Sequence, residues 1–175
     1  MKSLQESLLD DDLDTSFDKN IKAEIKEFLK QNYKGYSGCK ISGQPNSNGK
    51  YEVSCLNDVV VKNKGIISLT NGLFTWGKVG GYFCCINCNS LKNLKGAPKE
   101  VGGNFYGYSC KSLESLEGAP EKVGGNFECW ANKSLESLEG APEKVGGNFY
   151  CYGCKTEFTE DNVKKVSKVK RIIIC

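Results

Sequence analysis

Two C-x-x-C pairs, Cys85/Cys88 in "FCCINC" and Cys151/Cys154 in "FYCYGC", carry the residue types and spacing that a zinc knuckle or a dithiol redox pair uses. The chain has ten cysteines in 175 residues and no histidine. Without an imidazole, neither a Ser-His or Cys-His nucleophile pair nor a mixed Cys/His metal site can be assembled. The chemistry of these pairs therefore depends on how the chain positions them.

That positioning is set by an internal repeat. "SLESLEGAPEKVGGNF" occurs at 112–127 and again at 134–149, and the related "SLKNLKGAPKEVGGNF" occupies 90–105. Gly-Gly pairs begin at Gly80, Gly102, Gly124 and Gly146, a period of 22 without drift. In this register Phe83, Phe105, Phe127 and Phe149 align, followed by Cys85, Gly107, Cys129 and Cys151, and then by Cys88, Cys110, Asn132 and Cys154. Leu91, Leu113 and Leu135 come next, then Leu94, Leu116 and Leu138. A weaker rung, Asn63 to Leu69, precedes them, with three extra residues that include Trp76, as in a terminal cap. One rung cannot bury its Phe, Leu and Val alone, so stacked rungs with a parallel sheet are expected. Phe and the following Cys point inward, and Gly-Ala-Pro and Gly-Gly make the bends. The far side of each rung is too short for a full helix and is expected to hold short β or 3₁₀ segments.

The spacing F-x-C-x-x-[NC]-x-x-L-x-x-L over residues 59–155 resembles the leucine-rich repeat, and "SLEGAPEKVGGNFxC" is similar to the short repeats of bacterial leucine-rich-repeat effectors. The fold expected is a β-rich (α+β) solenoid, leucine-rich-repeat-like with a parallel sheet, an N-terminal helix plus short β cap and a C-terminal helical cap.

Phasing reduces C-x-x-C to two core positions three residues apart. Cys154 takes the place of Asn132, where a buried side chain satisfies turn backbone, and Cys151 fills an inward strand position. The two pairs stand three rungs apart, about 14 Å at about 4.8 Å per strand. One zinc ion, with thiolates about 2.3 Å away, cannot bridge them. Core thiols are the expectation, with no metal and no cofactor. Cross-rung disulfides, Cys88–Cys110 or Cys129–Cys151, stay open as an alternative. Cys84 alternates outward and is expected to be the most reactive thiol.

Residues alternating with the core face outward. One outward position carries Cys84, Tyr106, Glu128 and Tyr150; the next carries Ile86, Tyr108, Trp130 and Tyr152. Aromatic and β-branched residues favour strands for their own sake. A contiguous apolar patch rich in Tyr and Trp nonetheless points to binding. Tyr106, Tyr108, Trp130, Tyr150, Tyr152, Ile86 and Glu128 are therefore the candidate partner-binding residues, for a protein or, by ring stacking, a glycan. The basic run "KKVSKVKR" at 164–171 lacks interleaved aromatics, so it reads as a solvated helix face and no nucleic acid is expected.

Flanking elements follow from periodicity. Ile21, Ile25, Phe28 and Leu29 form one helical face, with Ser16 or Asp18 as N-cap. "YEVSC" and "VVVKN" read as a hairpin or meander, and "GQPNSNGK" as a loop. Val163, Val166 and Val169 recur at helical spacing after Thr159, and "RIII" adds a last strand. The segments expected are a flexible acidic leader at 1–15, a helix and β-hairpin cap at 16–58, the solenoid at 59–155 and a helix/strand cap at 156–175. No apolar run is long enough to span a membrane, and the acidic N-terminus has no signal-peptide core. The cysteines are thus expected as thiols in a reducing compartment.

"SLTNGLFTWGKVGGYF", the "SLEGAPEKVGGNFYC" rungs and "TEDNVKKVSKVK" together resemble a leucine-rich-repeat-like family of bacteriophage and prophage genomes of gut Bacteroidetes. "MKSLQESLLDDDL" resembles a leader found on unrelated phage proteins there, which would make residues 1–15 a sorting or packaging tag. The resemblance implies an architecture and a phage setting, in the host-cell cytoplasm or the virion, with no agreed activity. The reading drawn is a non-enzymatic protein-binding module; the alternative is a virion-associated structural or cargo protein.

Overall fold

The computed structural model of the chain describes residues 4–174, with side chains from residue 16 onward; the leader expected at 1–15 lies outside that side-chain description. Helix α1 (Leu4–Asn32) begins well before the N-caps expected at Ser16 or Asp18. The reason is local: no glycine or proline interrupts the chain before Gly35, where φ turns to +82°. The expected apolar stripe packs on the core, with Ile25 and Leu29 buried and Ile21 and Phe28 partly so.

The chain after α1 winds into a β-solenoid of about six turns, with a second helix only near the C-terminus. Each turn contributes a short strand on either side of a corner. The strand pairs are β3 (Tyr51–Cys55) with β4 (Val59–Val61), β5 (Phe74–Val79) with β6 (Phe83–Cys84), β7 (Glu100–Val101) with β8 (Phe105–Tyr106), and β9 (Lys122–Val123) with β10 (Phe127–Glu128). In the fifth turn one strand, β11 (Lys144–Tyr150), runs through the corner, and β12 (Lys168–Ile173) makes the sixth. Parallel pairing stacks Cys55, Val79, Val101, Val123, Val145 and Val169 in one column. A second column holds Val59, Phe83, Phe105, Phe127, Phe149 and Ile172.

The corner explains the Gly-Gly pairs. A Cβ on Gly102, Gly124 or Gly146 would fall on the carbonyl oxygen of the glycine one rung before, so only a bare backbone stacks there. In the first turn Leu56–Asp58 stands under this corner, with the Leu56 carbonyl beneath Gly80. "YEVSC" and "VVVKN" are therefore not a hairpin. They are the two halves of the first rung, and β3 and β4 pair with β5 and β6 instead of with each other. The true hairpin joins β2 (Cys39–Ile41) antiparallel to β3, while β1 (Tyr33–Lys34) lies antiparallel to β4.

Two cysteines depart from the all-thiol expectation. Cys39 and Cys55 are directly opposed in β2 and β3 and form a disulfide. Both lie outside the aligned repeat positions, so repeat phasing says nothing about their pairing. The other described cysteines are thiols.

At the far end, α2 (Glu160–Val166) is a two-turn helix with a capping box, in which Thr159 and Asn162 exchange side-chain and backbone bonds. It buries Val163. The expected helical spacing stops at Val166, because Ser167 is extended and Val169 belongs to β12. The C-terminal segment thus adds a rung as well as a helix.

Candidate functional site

The face read from sequence is assembled by the second column of strands. The inward set is fully buried: Phe83, Phe105, Phe127 and Phe149 are 0% exposed, as are Cys85 and Cys129. Their rings form a ladder with centroids 5.8, 5.1 and 5.0 Å apart. This internal stack fixes the register of everything on the outside.

At the end of each strand stands a residue the sequence reading passed over. Asn87, Ser109 and Ala131 have φ of 58°, 58° and 55°, and Gly153 has 63°. This left-handed residue turns the chain inward, which returns Cys88, Cys110, Asn132 and Cys154 to the core. There Asn132 accepts from the Cys110 N–H at 2.7 Å and donates to the Gly107 and Cys129 carbonyls at 2.9 and 2.7 Å. The thiols do a thinner version of the same work, Cys110 donating to the Cys85 carbonyl at 3.1 Å and Cys154 to that of Cys129 at 3.3 Å. The side chain satisfying turn backbone at this position is the one expected.

The neighbouring Cys110 side chain, and then burial, raises the proton affinity of the Cys85 and Cys88 thiols. Burial pushes Cys129 well up and Cys151 to about 12. Among the described residues no group of three or more Cys, Asp or Glu is arranged to hold a metal ion. Cys84, expected outside and reactive, is only 8% exposed. It is flanked in register by Val60 and Tyr106, so an outward direction here does not mean access to solvent.

The candidate binding residues all come together. Tyr106, Glu128 and Tyr150 are in-register neighbours. Beside them Tyr108 stacks on Trp130 at 4.0 Å and 14°, and Trp130 on Tyr152 at 5.4 Å and 6°. Ile86 extends this column toward the N-terminal end, its carbonyl held by the Lys64 ammonium at 2.7 Å. Tyr106 meets Tyr108 edge-on, and Tyr82, a member not foreseen, packs edge-on against Tyr106 at 5.7 Å. All seven candidates are half-buried, because each covers the next.

Polar groups hold the rims of these rings. Asn104 donates to the Tyr106 hydroxyl at 2.6 Å and Asn148 to that of Tyr150 at 3.0 Å, while the Trp130 indole N–H donates to Glu128 at 3.2 Å. Asn104 and Asn126 also accept from the backbone N–H of Asn126 and Asn148, at 2.8 and 2.9 Å. The signal for this asparagine ladder was present in the repeated "GGNF", but its meaning requires rungs stacked vertically. Burial, and then the Glu128 charge, holds the Tyr108 hydroxyl above its ordinary pKa.

The stack determines what the face can offer. Ring faces of Tyr108, Trp130 and Tyr152 are spent on one another, so their edges look outward. A sugar binds an aromatic by its face, and these faces are largely taken. Edges, amide groups and one carboxylate make a mixed surface of the kind proteins use against proteins. No family model, curated protein or solved structure matches this chain.

Proposed function

We propose that the protein is a non-catalytic binding module whose aromatic face docks a protein partner. The observation that carries this reading is the ordered Tyr108–Trp130–Tyr152 stack, a rigid aromatic strip flanked by Tyr106, Glu128 and Tyr150. Rigid aromatics cost little side-chain entropy to immobilise, and they dominate the energetics of protein interfaces. A non-catalytic role is supported by the lack of histidine and by the deep burial of most described thiols, including Cys84. The edge-out presentation favours a protein over a glycan.

Trp130 supplies the probe, because the other tryptophan, Trp76, is 1% exposed. Iodide should quench Trp130 fluorescence in the free protein, and a bound partner should protect it. Replacing Tyr108, Trp130 and Tyr152 together with Ala should abolish capture of the partner from a host-cell lysate while the far-UV spectrum is retained. If that variant unfolds, Trp130→Arg alone places a charge in the strip and makes the same test. Undiminished capture by a folded variant overturns the reading.

A further inference from the structure

The last rung leaves a second surface. β12 pairs with β11 along both columns, and among the described residues no strand pairs with its other edge. Register shows what that edge presents. The Val101 carbonyl accepts from Gly124 of the next rung at 2.8 Å, and the Phe105 N–H donates to Asn126 of the next rung at 2.8 Å. Val169 and Ile172 occupy the same two columns in β12. Their carbonyl and N–H accordingly point where a seventh rung would lie.

Beside this edge runs a groove lined by Glu160, Lys164, Ser167, Lys168, Lys170 and Arg171, with Val169 and Ile172. Charge along it is mainly basic, Glu160 being the one acid of the lining. In register, Lys122, Lys144 and Lys168 follow one another, and only Lys122 has an acid beside it, Glu100 at 3.1 Å. Lys164 is bound to Glu160 at 2.8 Å; Lys168, Lys170 and Arg171 stand exposed. Ser167 lines the same groove, 6% exposed, its hydroxyl without a hydrogen-bond partner among the described residues.

We infer that the outer edge of β12 accepts an extended acidic peptide strand as a further rung, held by main-chain bonds to Val169 and Ile172 and by carboxylates on Lys168, Lys170 and Arg171. The Glu100–Lys122 pair is the precedent within the molecule for an acid meeting a lysine across one rung. The basic residues that keep the edge from pairing with another copy of itself are the ones that select an acidic strand. An unpaired strand edge favours a peptide over a nucleic acid, since the run carries no aromatic side chain to stack a base.

The test uses fluorescence anisotropy with a fluorescein-labelled decapeptide alternating Glu with Val and Thr, beside a counterpart with Lys for Glu and a dT10 oligonucleotide. The whole protein should bind the acidic peptide saturably and the lysine peptide at least tenfold more weakly. K168E/K170E/R171E should weaken the acidic peptide at least tenfold. Ile172→Pro, which removes one outward N–H and no charge, should weaken it several-fold. If the proline variant does not fold, amide exchange at Val169 and Ile172 of the unaltered protein takes its place, and peptide should slow it. Equal binding of both peptides, binding unaffected by charge reversal, or tight dT10 binding without exchange protection at Val169 and Ile172 would each overturn the proposal. So would a concentration-dependent dimer that excludes the peptide, because the occupant would then be a second copy.

Discussion

The two ends of the solenoid solve the same problem in opposite ways. At the first turn, the edges of β3 and β4 are covered by antiparallel partners, β2 and β1, and by α1. Tyr33, Phe74, Trp76 and Phe83 interlock there edge-to-face, with Tyr33 and Trp76 centroids 5.3 Å apart. Tyr33 and Trp76 both donate to the Leu69 carbonyl, at 2.7 and 3.1 Å. At the sixth turn, β12 is paired on one side only among the described residues, and Lys168, Lys170 and Arg171 stand exposed on it. One end is closed by packing and a covalent link, while the other presents a basic strand edge. The difference teaches that a parallel solenoid needs only one end to be sealed apolar; the other can stay open if it is selective about what adds to it.

The largest effect expected from breaking this contrast is at Trp76. Trp76→Ala empties the centre of the aromatic cluster and leaves Tyr33 as the remaining side-chain donor to the Leu69 carbonyl. It should cost about 3–5 kcal/mol in denaturant unfolding, the range for deleting a buried aromatic. Because rungs are coupled only to neighbours, the loss should appear first as exchange in β5 and β6. Next in size is the disulfide. C39A/C55A releases a loop of 16 residues and should cost about 3 kcal/mol on the chain-entropy account. If the double variant is as stable as the parent, β2 is held by pairing alone and the covalent seal is dispensable.

The sequence revealed the repeat far better than its ends. The 22-residue period, the inward Phe and Cys, the role of Asn132 and the two aromatic columns follow from phasing alone, because each is a local choice repeated in register. What escaped is what depends on vertical contact. Leu56–Asp58 does not resemble Gly-Gly, yet it sits under the glycine corner, and the glycine that approaches it from the cap side, Gly35 against the Asp58 carbonyl, lies outside the repeat. Cys84 faces outward by alternation and is still buried, since Val60 and Tyr106 close over it in register. The Cys39–Cys55 link joins two positions outside the repeat, where phasing has no reference. The helix start was missed because a plausible cap at Ser16 does not end a helix that has no breaker before it.

The smallest effects give the finest comparison of the two ends, because one column supplies a matched pair. Val59 begins the phenylalanine column and Ile172 ends it. Val59 is 0% exposed under its cover, whereas Ile172, the larger side chain, is half-buried at the open edge. Residue size alone would make Ile172→Ala the more damaging change. Burial reverses the order: Val59→Ala removes two buried methyl groups and should cost about 2 kcal/mol, and Ile172→Ala about 1 kcal/mol. Both are read as midpoint shifts at constant m-value. Saturating acidic decapeptide should raise the cost of Ile172→Ala toward that of Val59→Ala, since a strand on β12 would bury Ile172, as Val59 is already buried at the first turn. An unchanged difference with peptide bound would mean that the two ends differ in more than their cover.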